Sequence, residues 1–213
     1  MWDGLHPMRT RDRAVKKSEP DLGLRRVVVI VGLLNLGYFG VEFAVALAIG
    51  SVALFADSID FLEDASINFL IFAALGWSAA RRARVGMVLA GILLVPGLAT
   101  LWTAWDKFAV PVAPDPTALT LAGTGALAVN LACAFLLAHY RAHSGSLTRA
   151  AFLSARNDAF ANVAIIGAGL LTAFVWASAW PDLLVGLGIA ALNADAARDV
   201  WTAARAEHRA ARG

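Results

Sequence analysis

Six stretches of about twenty predominantly apolar residues follow one another along this chain of 213 residues. A helix needs roughly 20 such residues to cross the hydrocarbon core of a bilayer. The stretches are continuous rather than alternating in polarity, which favours membrane-spanning helices over the strands of a barrel. They cover residues 27–49, 52–77, 85–105, 117–140, 147–177 and 183–201. We therefore predict an all-α integral membrane protein with six transmembrane helices.

The composition excludes several other classes of protein. Hydrophobic residues make up 59% of the chain and charged residues 16%, against about 45–50% and about 25% in soluble domains. A single cysteine excludes a disulfide scaffold. The formal net charge of +2 gives no reason to expect a nucleic-acid partner. No nucleophile triad, phosphate-binding loop or dinucleotide fingerprint is present, so we expect no enzyme.

The basic residues predict the orientation of the six helices. Of the 18 Lys and Arg residues, only Lys107 falls in the loops on one side of the predicted bundle. The positive-inside rule makes the other side cytoplasmic. Both termini are then cytoplasmic, as expected for a multi-pass protein of the cell (inner) membrane.

The same pattern divides the chain into three parts. Residues 1–26 form a basic cytoplasmic N-terminal segment, 27–203 the six-helix transmembrane domain, and 204–213 a short cytoplasmic tail. The tail is too short for a soluble domain. We therefore expect the function to reside in or beside the lipid bilayer.

The second span carries four acidic residues that a lipid-facing helix would not tolerate. One central Asp costs about 2.5–3.5 kcal/mol on the insertion scale, so four cost roughly 10 kcal/mol. Asp57, Asp60 and Asp64 fall on one narrow helical face with Asn68, and Glu63 lies at its edge. We expect this face to point into the bundle and to bind a positive charge.

The fifth span offers a matching polar face. Ser154, Asp158 and Asn162 recur at a spacing of four residues, in the middle part of their span. Oxygen atoms of carboxylate, hydroxyl and amide groups are ligands for divalent cations. The two faces are therefore expected to meet at one depth.

Two other interpretations apply to these polar residues. A role as buried hydrogen-bonding groups explains four of them equally well: Asp57, Glu63, Asn162 and Glu42. A structural salt bridge explains Asp60, Asp64 and Asp158 less well, because no basic residue that could pair with them lies deep in any span. A cation or proton site remains the better account of those three.

These residues resemble the cation diffusion facilitator (cation efflux) family of metal–proton antiporters. The match rests on six spans, on the second-span segment 50–65 with its D-x-x-x-D motif at Asp60 and Asp64, and on Asp158 in the fifth span. Glu42 late in the first span and Pro181-Asp182 at the start of the sixth also match. The resemblance covers 25–201. It implies the family's transmembrane domain, in a short form without a cytoplasmic C-terminal domain.

The resemblance implies a metal site formed by Asp60, Asp64 and Asp158, with Ser154 where the family usually has histidine. Asn157 is a possible substitute for that histidine. The substrate is then a divalent metal ion of the Zn, Mn or Fe class, without any prosthetic group. An all-oxygen site is harder than one with imidazole, which favours Mn²⁺ or Fe²⁺ over Zn²⁺. We expect a homodimer that exports the metal in exchange for protons.

Electrostatics account for such an exchange. Three carboxylates around one site repel one another, and either a divalent cation or protons relieve that repulsion. Metal and protons then compete for the same oxygens of Asp60, Asp64 and Asp158. Ser154 leaves an alternative open, namely a degenerate metal-binding or regulatory membrane protein that pairs with an active homologue.

Overall fold

The computed structural model describes residues 22–74, 98–140 and 146–193. Within these ranges the regular elements are six helices in chain order. They are α1 (Leu22–Ile49), α2 (Val52–Ala74), α3 (98–109), α4 (Pro116–Ala138), α5 (Ser146–Phe174) and α6 (Trp180–Asn193). The predicted all-α class is confirmed, and four of the predicted spans coincide with α1, α2, α4 and α5.

Several sequence predictions fall outside the described residues. These are most of the basic N-terminal segment, the inner loop with its three arginines, and the cytoplasmic tail. Most of the third predicted span and the end of the sixth also lie outside. The boundaries of the three predicted parts of the chain and the orientation of the termini therefore stay predictions.

The turn between α1 and α2 contains only two residues. Gly50 adopts φ +63°, a conformation in which a side chain would be strained. Ser51 then caps α2, since its Oγ accepts a hydrogen bond from the backbone N–H of Leu54 at 3.1 Å. The short turn packs α1 and α2 as an antiparallel pair.

The helices pack in two contacting pairs. α1 packs on α2 and α4 packs on α5, while α1 also contacts α4 and α2 contacts α5. One apolar cluster lies near the α1–α2 turn and includes Ala46, Leu54, Leu119 and Ile165. A second lies at the other end of the bundle and includes Val28, Ile71, Cys133 and Leu137.

A polar layer separates these apolar clusters. Its side chains are all buried and come from α1, α2, α4 and α5: Asn35, Glu42, Asp57, Asp60, Asp64, Asn68, Asn130 and Asn162. Apolar side chains, by contrast, cover the outside of the bundle, as shown by Leu33, Phe135 and Phe160 at 57%, 81% and 69% exposure. This inverted distribution suits a lipid environment.

Among the residues that the structure describes, three helices are long and apolar enough to cross a membrane by length and composition. They are Leu22–Ile49, Pro116–Ala138 and the segment Ser154–Phe174 of α5. α2 has the same length as α4, 23 residues, but carries four acids. Its placement inside the bundle explains how such a helix is accommodated.

Candidate functional site

A cavity of about 380 Å³ lies between α2, α5 and α6. Polar side chains from α2 and α5 line it, and α6 contributes Ile189, Leu192 and Asn193. The polar residues are Asp60, Glu63, Asp64, Ser154, Asn157 and Asp158. The structure therefore brings all four sequence-predicted site residues, Asp60, Asp64, Ser154 and Asp158, to one cavity.

The acidic face of α2 points inward, as its spacing predicts. Asp60 and Asp64 are 9% and 5% exposed, and Asn68 one turn further along is 1% exposed. Glu63 is only partly buried, which agrees with its position at the edge of the face. None of the described residues that line the cavity is His or Cys, so the ligands that they offer are oxygen atoms and amide groups.

Asp64 links the α2 face to α5. Ser154 Oγ donates a hydrogen bond to Asp64 Oδ1 at 2.9 Å, and the Asp158 carboxyl group lies beside that of Asp64. Within the described ranges, however, no three His, Cys, Asp or Glu side chains converge closely enough to hold a metal ion. The carboxylates thus share a cavity without being drawn together around one point.

A second link between the helices lies next to the first. Asn162 Nδ2 donates to Asp57 Oδ2 at 2.5 Å, and Asn130 Nδ2 donates to Asn162 Oδ1 at 3.0 Å. This chain of hydrogen bonds connects α2, α5 and α4. Glu42 of α1 faces Asp57 from the other side. The two polar faces predicted from the sequence therefore meet at two successive levels.

The loop after the third span begins four residues later than the sequence predicts. Helix α3 continues to residue 109, so Lys107 is helical rather than part of a loop. Its Nζ donates to Asp182 Oδ2 at 2.8 Å and to the Gly50 carbonyl at 2.5 Å. A basic residue at the end of a span looked like a loop residue because its partners are distant in sequence.

Asp182 also holds the start of α2. It accepts hydrogen bonds from Ser51 Oγ at 2.5 Å and from the backbone N–H groups of Val52 and Ala53 at 2.9 and 3.2 Å. Carboxylates favour helix N-termini because of the free N–H groups and the helix dipole. The sequence signal for this contact was the acid at the start of the sixth span, Asp182.

The family model of the cation efflux transmembrane domain matches residues 28–204. The chain belongs to the cation efflux family. Members of this family are transporters rather than enzymes, so the match supports a membrane protein that transports cations. No curated protein matches the chain. The resemblance inferred from Asp60, Asp64 and Asp158 is confirmed at the level of the family.

Proposed function

We propose that the chain exports a divalent metal cation from the cytoplasm in exchange for protons. The observation that carries this proposal is the shared cavity of Asp60, Asp64, Asp158 and Ser154. The ion pair among the described residues is Lys107–Asp182, so no lysine or arginine in those ranges neutralises the cavity acids. Buried carboxylates without a protein counter-ion favour binding of an external cation.

The proposed binding step draws the oxygens together. Asp64 and Asp158 are already in contact, and Asp60 lies one turn before Asp64 on the same face of α2. A cation entering the cavity attracts all three carboxylates, and the Ser154 hydroxyl beside Asp64 provides a further oxygen. Hard oxygen ligands favour Mn²⁺ or Fe²⁺, and Zn²⁺ remains compatible with three carboxylates and a water.

The return of protons uses the same chemistry. Metal and protons compete for carboxylate oxygens, so metal release on the far side favours proton uptake. On the basis of the Lys and Arg distribution, we place the protein in the cell (inner) membrane with both termini in the cytoplasm. We also propose a homodimer. Three acids in one cavity favour a working transporter over a degenerate regulatory protein.

The test is transport by the purified chain in proteoliposomes. A metal-sensitive dye and a pH indicator inside the vesicles report Zn²⁺, Mn²⁺, Fe²⁺, Co²⁺ or Cd²⁺ entry and the accompanying proton flux. We expect Asp64→Ala and Asp158→Ala to abolish metal transport while the protein stays folded. Asp106→Ala, which changes an exposed acid far from the cavity, serves as the matched control. Full transport by either cavity variant would contradict the proposal.

A further inference from the structure

A second pair of carboxyl groups lies between α1 and α2, outside the cavity. Glu42 and Asp57 are both 0% exposed, and their carboxyl groups lie next to each other. Asn162 donates to Asp57 Oδ2. In the described part of the chain, both carboxyl oxygens of Glu42 and Oδ1 of Asp57 have no hydrogen-bond donor. Two buried carboxyl groups thus face each other with three oxygens unsatisfied.

The unsatisfied oxygens favour a protonated pair over two ionised carboxylates. Two ionised carboxylates offer only acceptors, so they cannot form a hydrogen bond with each other. A buried charge without a partner is costly, and a second like charge beside it raises that cost. No lysine or arginine in the described ranges forms an ion pair with either acid. A proton held between Glu42 and Asp57 supplies the missing donor.

We propose that Glu42 and Asp57 form a proton-binding site, and that its proton is one of those exchanged for the metal substrate. This inference rests on the proposed function, because an exchanged proton presupposes metal–proton antiport. It places a proton on a pair separate from the metal-binding carboxylates. The pair would act as a proton carrier, whereas Asp60, Asp64 and Asp158 would bind the metal.

The position of the pair couples it to the cavity. Asp57 precedes Asp60 by three residues on α2, about 4.5 Å of helical rise. Asn162, which binds Asp57, follows Asp158 by four residues on α5. A divalent cation in the cavity therefore lies about one turn from the pair, and its charge opposes a proton there. Metal entry favours loss of the proton, and metal release favours its return.

In the ranges that the structure describes, no protein cation forms an ion pair with the Glu42–Asp57 pair or with the cavity acids. Among the described residues, the titratable groups that act on the pair come from α1, α2 and α5, and none is basic: they are Tyr38, Asp60, Asp64 and Asp158. From α4, the neutral Asn130 reaches the pair through Asn162. Because neither carboxyl group of the pair is exposed, exchange of the proton requires that water or another proton carrier gain access to the pair.

A static role is the competing explanation. A permanently protonated pair would only hold α1 against α2, and metal binding would not change its proton. The two roles differ in the number of protons released when metal binds. That number can be measured by titration calorimetry in buffers of different ionisation enthalpy.

The experiment uses the purified full chain in detergent, with Mn²⁺ and Zn²⁺ as probes. Glu42→Gln and Asp57→Asn are near-isosteric and remove one titratable group each. We expect both variants to bind metal and to release about one proton fewer per metal ion than the unmodified chain. An unchanged proton count in both variants would overturn the proposal. Loss of metal binding in both would also overturn it, because the pair would then belong to the metal site or to the fold.

Two controls separate this inference from the proposed function. Asp64→Asn should lose metal binding if the cavity is the metal site, whatever the role of the pair. If the unmodified chain binds metal without releasing protons, the proposed antiport itself is wrong. If it releases protons and the pair variants release as many, only the assignment of the proton to Glu42 and Asp57 fails.

Discussion

Replacing Lys107 with Met tests the network that joins α3, α6 and the α1–α2 turn. The substitution keeps the apolar stem and removes the ammonium group, which is bound to Asp182 at 2.8 Å and to the Gly50 carbonyl at 2.5 Å. Lys107 is 8% exposed and Asp182 is fully buried. The variant therefore leaves a buried carboxylate without its counter-ion.

The contacts of Asp182 determine how far we expect the free energy of unfolding to fall in Lys107→Met. Removing one partner of a buried ion pair costs about 3–5 kcal/mol. Asp182 keeps three donors, namely Ser51 Oγ and the N–H groups of Val52 and Ala53. Those bonds and the N-terminus of α2 still stabilise its charge, so we expect a loss near the lower end, about 3 kcal/mol.

The variant Asp182→Asn and the double variant complete a double-mutant cycle, which measures the interaction energy between Lys107 and Asp182. Asp182→Asn removes the charge from the start of α2 and leaves the ammonium group of Lys107 with the Gly50 carbonyl. We therefore expect the free energy of unfolding to fall by about 4 kcal/mol. The double variant should lose less than the sum, with a coupling energy of about 2 kcal/mol. Asp106→Asn changes the exposed neighbour of Lys107 and should alter stability by less than about 0.5 kcal/mol.

The assay is unfolding in mixed micelles with increasing dodecyl sulfate. Fluorescence of the seven tryptophans reports the transition. The reasoning is refuted if Lys107→Met is no more destabilising than Asp106→Asn. Strict additivity of the two single variants would refute it equally, because the contact would then carry no interaction energy.

Three further variants test the packing of α6 and the ligand set. Gly186→Ala would place a Cβ 2.7 Å from the carbonyl carbon of Val52, so we expect a loss of about 1–3 kcal/mol in the same unfolding assay. Gly188→Ala meets nothing within 4 Å and should be neutral or stabilising; equal effects would contradict the packing argument. Ser154→His places imidazole beside Asp64 and should raise the Zn²⁺ over Mn²⁺ affinity ratio by about tenfold in titration calorimetry. An unchanged ratio would place residue 154 outside the ligand set.

The inward direction of the α2 acids could be predicted from the free-energy cost of exposing acidic side chains to lipid. Four acids on a lipid-facing helix are too expensive, and the spacing of Asp57, Asp60 and Asp64 gives them one face. The contact of that face with α5 followed from a second polar face at a similar depth. The hydrogen bonds of Ser154 with Asp64 and of Asn162 with Asp57 show that these predictions were correct.

The proximity of Glu42 and Asp57 was not predicted, although the spacing of these residues from the α1–α2 turn indicates that they lie at nearly the same depth. The α1–α2 turn at Gly50 and Ser51 contains two residues, Glu42 lies eight residues before Gly50, and Asp57 lies six after Ser51. An antiparallel pair with so short a turn brings them to nearly the same depth. The rotation of α1 about its axis decides whether Glu42 faces α2, and a nearly uniform apolar helix does not specify that rotation.

The Lys107–Asp182 contact could not be predicted from local pattern. The partners lie 75 residues apart, and their meeting depends on how the ends of α3 and α6 pack around the start of α2. Lys107 follows Trp105 and Asp106 and precedes the proline-rich segment 111–116, a context typical of a loop. Helix α3 nevertheless includes Lys107 and ends at residue 109, before that proline-rich segment.

The location of the bound metal tests the central claim most directly. Crystals of the chain grown with Zn²⁺ can be measured at the zinc absorption edge, so that an anomalous difference map shows the ion alone. We expect one strong peak between α2 and α5, with oxygens of Asp60, Asp64 and Asp158 at about 2.0–2.2 Å. A peak elsewhere in the bundle, with none at these carboxylates, would contradict the account.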